Sequence, residues 1–244
     1  MNLRAYRTFQ ALILGTLGLF LLFKISDGRI LLYINQRFVI LVLLAGLALV
    51  ILSQVVLRER PPLDADENNQ ESQSPRDHDA RPAWGLWLLA LPLLMGLFIP
   101  QRALGAAAIQ NRGVNLGAGF ESGDRDPLRI PEQQRSVLDW VRLAGANAAI
   151  QGQQADVTGF VYHDPRLGDG AFLVGRFTIA CCVADAVAYG MVVQWPEARS
   201  LPDNRWVRVR GPVSLVEVDG RAVPQIEAVQ VEGISEPEQP YLFP

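Results

Sequence analysis

Three apolar stretches, Ala5 to Phe23, Phe38 to Leu57 and Pro82 to Pro100, occupy most of the first hundred residues. A bilayer core takes roughly 20 mainly apolar residues of helix. Phe38 to Leu57 meets that requirement with only Ser53 and Gln54 as polar members, and Ala5 to Phe23 keeps Arg7, Thr8 and Gln10 near its start, where headgroups would receive them. Pro82 to Pro100 is bracketed by prolines and carries Trp84 and Trp87 at one end, the placement that interfacial indoles favour. Pro92 within it would kink a helix, which neighbouring helices can tolerate. The pattern predicts three transmembrane helices, with a buried or interfacial helix as the alternative for the third.

The segments between these stretches differ in kind. Phe23-Lys24-Ile25-Ser26-Asp27-Gly28 offers no small-x-small cleavage site, so the first helix reads as a retained anchor rather than a signal peptide. Residues 58–81 are polar and acidic, with Asp64, Asp66, Glu67 and Glu71 among prolines and amides. Such a stretch buries too little apolar surface to offset its ordering entropy and reads as a disordered linker. His78 lies within it between Asp77 and Asp79 and reads as a solvated loop histidine. Residues 101–131 read as an irregular connecting segment, and 132–244 as a soluble domain. With three spans, Arg4, Arg7, Arg58, Arg60, Arg76 and Arg81 share one side, against Lys24, Arg29, Arg37, Arg102 and Arg112 on the other. By cytoplasmic enrichment of basic residues, this majority favours a cytoplasmic N-terminus and a C-terminal domain on the outer or periplasmic side of the membrane.

Beyond residue 131 the periodicity changes. Pro131 to Leu143 opens with a helix-start proline and acid, and Val137, Leu138, Trp140 and Val141 form a helical stripe. Trp140 on that stripe reads as a packing residue before a binding aromatic. Strands are then expected over Ala155 to Tyr162, Ala171 to Val183, Ala188 to Trp195, Trp206 to Val218 and Val223 to Ile234. Asp219-Gly220 joins the last two as a hairpin. Glycines at 159, 175 and 211 suit the bending that barrel strands need. The expected fold is therefore a membrane α-helical N-terminal region plus an all-β C-terminal domain, a five-stranded OB-like barrel with a short preceding helix. A β-sandwich is the alternative.

Charge and cysteine content narrow the chemistry. The net charge is −3, and from Ile150 onward seven arginines face twelve acids, a balance that argues against a nucleic-acid partner. Lys24 is the only lysine, a skew of the kind that genomic base composition produces, and no function follows from it. The two cysteines are adjacent, Cys181-Cys182, followed by Val183, Ala184 and Asp185. In a regular strand, alternation would put Phe177, Ile179 and Cys181 on one face and Arg176, Thr178 and Cys182 on the other. The thiols could then share neither a metal nor a disulfide unless a bulge or turn intervened, and a ring closed by neighbouring cysteines stores strain. Three readings stay open: structural thiols, a redox pair, or a metal site formed by Cys181, Cys182 and Asp185, with His163 as a further ligand candidate. No nucleophile elbow, phosphate loop, H-E-x-x-H or dinucleotide fingerprint occurs, so the chain does not read as an enzyme.

Three sets of residues carry a resemblance. The string Arg176-Phe177-Thr178-Ile179-Ala180-Cys181-Cys182-Val183-Ala184-Asp185-Ala186, the approach Arg102-Ala103-Leu104-Gly105 with Asn111-Arg112-Gly113, and the ending Pro240-Tyr241-Leu242-Phe243 together resemble the YcgQ-like bacterial membrane proteins. The resemblance implies N-terminal membrane segments, a C-terminal domain and a partner, a YcgR-like predicted permease. It carries over the cysteine pair and Asp185 as pattern positions; His163 is not among them. The expectation is a non-catalytic, multi-pass accessory subunit whose extracytoplasmic domain binds solute or gates access, with no cofactor beyond an optional metal ion. The alternative is a stand-alone thiol or metal-binding membrane protein using Cys181 and Cys182. An oligonucleotide- or oligosaccharide-binding barrel is a third option, whose nucleic-acid form the acidic charge disfavours. Gly15, Gly18, Ala45, Gly46 and Ala48 would let helices approach closely, either on the permease or within the chain's own bundle.

Overall fold

The computed structural model describes residues 3–58, 91, 94–96, 98, 101–117, 126–146 and 149–243. They divide into two compact units: residues 1–31 with 36–101, and residues 32–35 with 102–244. The polar linker with His78 lies outside the described residues. So does most of Pro82 to Pro100, in which Leu91, Leu94, Met95, Gly96 and Phe98 are helical.

The first unit contains two apolar helices, α1 (Leu3–Ser26) and α2 (Val39–Arg58). Arg7–Ser26 and Gln36–Arg58 are long and apolar enough to cross a membrane. Leu19, Ile40, Leu44 and Ile51 are all more than half exposed, which would be costly in water. The two helices meet through small residues. A Cβ added to Gly18 would lie 2.8 Å from the Gly46 carbonyl oxygen and 2.8 Å from Val50 Cγ2. Of the two roles expected for these residues, packing within the chain's own helix pair is therefore realised at Gly18 and Gly46. Ser53, buried in the same seam, donates from Oγ to the Ala11 carbonyl at 2.8 Å.

The second unit is mostly β. Short helices α3 (Ala106–Arg112) and α4 (Val137–Gly145) precede β1 (Gln154–Tyr162), β2 (Ala171–Thr178), β3 (Val187–Gln194), β4 (Trp206–Val218), β5 (Arg221–Glu227), β6 (Gln230–Gly233) and β7 (Tyr241–Leu242). Pairing runs β1-β2-β3-β5-β4-β6, with β1 also on β4 and β7 on β2. All pairs are antiparallel except β3–β5 and β2–β7. Asp219 and Gly220 both have positive φ, the geometry of the tight hairpin turn that their sequence announced.

Several expectations are corrected. Among the described residues seven strands replace five, because Ala228 and Val229 leave the ladder to hydrogen-bond Gln194 and Arg210, splitting the expected fifth strand, and because the C-terminal Tyr241-Leu242 pairs with Phe177-Thr178. Nor is the sheet a closed barrel of continuous ladders. β1 pairs with β4 from Gln154 to Phe160 and with β2 only from Phe160 to Tyr162, so it changes partners along its length. β2 stops at Thr178, five residues before the expected end. α3 lies in the segment expected to be irregular. Its first free N–H, on Ala106, is taken at 2.6 Å by the Asn204 side chain, far along the chain. α4 starts later than the proline signal suggested, because Ser136 and Asp139 form a reciprocal cap: Ser136 N donates to Asp139 Oδ2 at 2.8 Å and Asp139 N donates to Ser136 Oγ at 3.4 Å.

Both faces of β2 and β3 are buried, which explains why they read as near-continuous apolar runs. On one side Phe172, Val174, Tyr189, Met191 and Val193 pack with Val137, Trp140 and Val141 of α4. On the other, Leu173, Phe177, Ala188 and Val192 join Phe160, Trp206, Tyr241 and, from α3, Ala106 and Ile109. Trp140 is fully buried, as a packing residue, with the Arg135 guanidinium 5.0 Å from its ring centroid. At Gly159 the need for glycine is close approach: a Cβ there would sit 2.5 Å from the Gly175 carbonyl oxygen.

A thiol and carboxylate loop as the candidate functional site

The chain that leaves β2 turns at Ile179 to Asp185 instead of extending. Val183–Asp185 forms a single 3-10 turn, so the two thiols are not on opposite faces of a strand. Cys181 Sγ and Cys182 Sγ lie 3.5 Å apart. With a carboxylate oxygen of Asp185 they form a group whose ligand atoms are all within 4.8 Å of one another. Cys181 and Asp185 are exposed and Cys182 is half-buried. The turn that would bring the cysteines together is thus present, and the three residues proposed from sequence converge.

Asp185 organises the loop. Its Oδ1 accepts from the Ala180 N–H at 2.9 Å, and its Oδ2 from the N–H groups of Cys181 at 2.7 Å and Cys182 at 3.2 Å. Burial opposes ionisation of this carboxyl, and donation from the Cys181 thiol and the three backbone N–H groups outweighs it, holding Asp185 below the usual carboxylate range. The converse acts on Cys181. Its hydrogen bond to Asp185, followed by that to Cys182, pushes the thiol up to about 12. Cys181 is therefore a protonated thiol near neutrality, not an activated nucleophile.

Distant segments satisfy the loop's carbonyls. Asn35, buried and part of this unit through residues 32–35, donates from Nδ2 to Ile179 O at 3.2 Å and Ala180 O at 3.0 Å, and from its backbone N to Cys181 O at 3.0 Å. Ile34 forms an antiparallel bridge with Cys182, and the Val183 N–H donates to Tyr33 O at 2.8 Å. Arg112, at the end of α3, donates from one guanidinium nitrogen to Val183 O at 3.1 Å and, at longer range, to Ala186 O and Ala184 O. The C-terminal segment holds the strand that feeds the loop: Ile179 N donates to Leu242 O, and Arg176 donates to Pro240 O and Gln239 O. Tyr241 OH in turn accepts from the Leu104 N–H at 3.0 Å. All the strings that carried the family resemblance thus meet around one end of β2.

His163 does not join this group. It sits at the end of β1, where Nδ1 meets Asp203 Oδ1 at 2.8 Å and Nε2 donates to Ala198 O at 3.1 Å. Sequence reasoning missed Asn35, and Arg112 entered only through the resemblance, because neither has a spacing signal linking it to the cysteines. It also missed a cavity of about 390 Å³ lined by Arg102, Leu104, Phe160, Asn204, Trp206 and Glu236.

Two helices able to cross a membrane, joined in sequence to a β domain with a thiol-bearing loop, define a membrane-associated protein of mixed class. The chain belongs to the DUF1980 family: residues 9–115 match its N-terminal domain and residues 138–244 its C-terminal domain. It is similar to the UPF0703 protein YcgQ of Bacillus subtilis (strain 168), at 22% identity over 187 residues, 62% of this chain and 65% of that protein. It is also similar to a Streptococcus mutans serotype c protein named "Putative two-component membrane permease complex subunit", at 27% identity over 196 residues, 64% of this chain and 72% of that protein. This chain thus spans just under two thirds of the first relative's length. Among solved structures, the small single-stranded DNA-binding protein of Streptomyces coelicolor aligns over 34% of this chain and 93% of its own, at 16% identity and a TM-score of 0.23; a likeness of that size carries no argument.

Two outcomes test this geometry. Asn35→Ala leaves two carbonyls of the loop without their donor, a loss of about 1–3 kcal/mol, so hydrogen exchange at Cys181 to Asp185 should accelerate while that of β3 stays slow. In a Cys182→Ser chain, Cys181 should alkylate more slowly when folded than in denaturant below pH 9.0, the usual thiol value, although it is exposed. The larger cause of the raised Cys181 value, its hydrogen bond to Asp185, remains in this chain, so the difference should be full below pH 9.0 and shrink as pH rises above it.

Proposed function

We propose that this chain is a membrane-anchored, non-catalytic accessory subunit of a permease. The observation that carries the reading is the name of the Streptococcus mutans relative, matched over 64% of this chain. The partner is a polytopic permease of the YcgR-like kind, and the β domain binds solute or gates access on the outer side. An OB-like arrangement suits that role. Support comes from the pairing order β1-β2-β3-β5-β4 with return from β4 to β1 and a parallel β3–β5 contact, and from the aromatic-lined cavity beside Phe160 and Trp206.

Chain connectivity supports three crossings. Residues 32–35 lie between α1 and α2 in sequence, yet they belong to the β-domain unit. Where α1 and α2 cross a bilayer, this link and the β domain share a side. With Pro82 to Pro100 as the proposed third crossing, the β domain would lie on the side of that link. The same side is opposite the N-terminus, in agreement with the outward domain that the arginine distribution favours.

Purification of the tagged full chain in mild detergent should recover a polytopic membrane protein in fixed ratio; recovery of this chain alone would overturn the subunit reading. A reporter that is active only after export, fused after Pro244, should be active. Activity from the same reporter placed between Asp64 and Asp79 instead would reverse the topology.

A further inference from the structure

We propose that Cys181, Cys182 and Asp185 form a solvent-facing site for one soft divalent cation of zinc-like chemistry, with three protein ligands and an open fourth position. The inference goes beyond the subunit reading and stands or falls separately.

The distances suit such an ion. Zinc binds thiolate sulfur at about 2.3 Å, so two thiolates on one tetrahedral ion sit about 3.8 Å apart. The thiols already lie at 3.5 Å, and the carboxylate oxygen completes a triangle with no side longer than 4.8 Å. A two-coordinate linear ion would require the sulfurs to separate further, whereas a tetrahedral one needs only small side-chain rotations.

The donor set is chemically selective. Hard cations such as calcium and magnesium take oxygen ligands, and the loop carbonyls that might supply them are engaged by Asn35, Arg112 and the loop's own N–H groups. The ligand atoms that remain are the exposed Cys181 sulfur, the half-buried Cys182 sulfur and the Asp185 carboxylate, whose oxygens also accept loop N–H groups; this set suits zinc, cadmium or cobalt(II). Binding displaces one proton from each thiol, M²⁺ plus two thiols giving a bis-thiolate complex and two protons, with no change of oxidation state. Asn35 and Arg112 hold the ligand loop through its backbone, so they act as positioning residues. Closed structural zinc sites use four protein ligands, whereas three with an open position allow a further ligand to enter and the ion to exchange.

The test uses the full chain in detergent, purified with a non-chelating phosphine reductant and titrated with cobalt(II). Expected are thiolate-to-cobalt charge-transfer bands that saturate at one ion per chain and are displaced by zinc. The bands should be lost in Cys181→Ser/Cys182→Ser. A wild-type measurement guards against misfolding of that variant: zinc should slow alkylation of both thiols, and a chelator should restore the rate. Cobalt binding without thiolate bands, or thiols that alkylate equally fast with and without zinc, would overturn the site. Co-purification of the double-serine variant with the permease reports separately on the subunit reading.

Discussion

The backbone between β2 and β3 has left its ladder, and every polar group it carries must find a partner elsewhere. That requirement shapes the candidate site. A loop of this kind, partly buried, would lose about 1–3 kcal/mol for each carbonyl or N–H left unpaired. The chain meets the need from both directions. Asp185 collects the N–H groups of Ala180, Cys181 and Cys182, and Asn35 and Arg112 collect carbonyls on either side of the thiols. The thiols themselves hold nothing in place except each other and Asp185, which leaves them available for chemistry.

This division of labour separates what could be read from the sequence from what could not. The apolar stretches at Ala5 to Phe23 and Phe38 to Leu57 were legible because a run of that length has few alternatives, and α1 and α2 fall on them within a few residues. The strands starting at Ala171 and Trp206 were legible from β-branched and aromatic density, and the hairpin from Asp219-Gly220. The end of β2 was not. Phe177 to Val183 continues the apolar run, and the partners that hold the turn after Thr178, Asp185 on three N–H groups and Asn35 on the carbonyls, leave no mark on that run. Strand alternation therefore gave the wrong geometry for Cys181 and Cys182, while the condition attached to it, that a turn would unite them, was the relevant one.

Partners distant in sequence were hidden for a different reason. Asn35 lies 144 residues from Ile179, and nothing in composition or spacing marks a single asparagine between two helices as part of a β domain. The same holds for Asn204, which takes the first N–H of α3, and for the Tyr241-Leu242 strand, too short for a periodic signal. Pattern reading recovers elements whose stability comes from their own burial. It fails for pieces whose order is conferred by a hydrogen bond to something far away.

The family resemblance supplied indirectly what the pattern could not. Arg102 to Gly105, Asn111 to Gly113, the cysteine string and Pro240 to Phe243 are separated by many residues, yet Arg112, Tyr241 and Arg176 tie each of them to the same end of β2. A purely structural purpose would be served by burying that end under apolar side chains, as happens on both faces of β2 and β3. Instead, residues 33–35, Arg112 and the C-terminal segment hold in place a loop that carries two thiols and a carboxylate. Backbone support of this kind beneath the thiols is what the proposed ion site would use to hold its ligands in place.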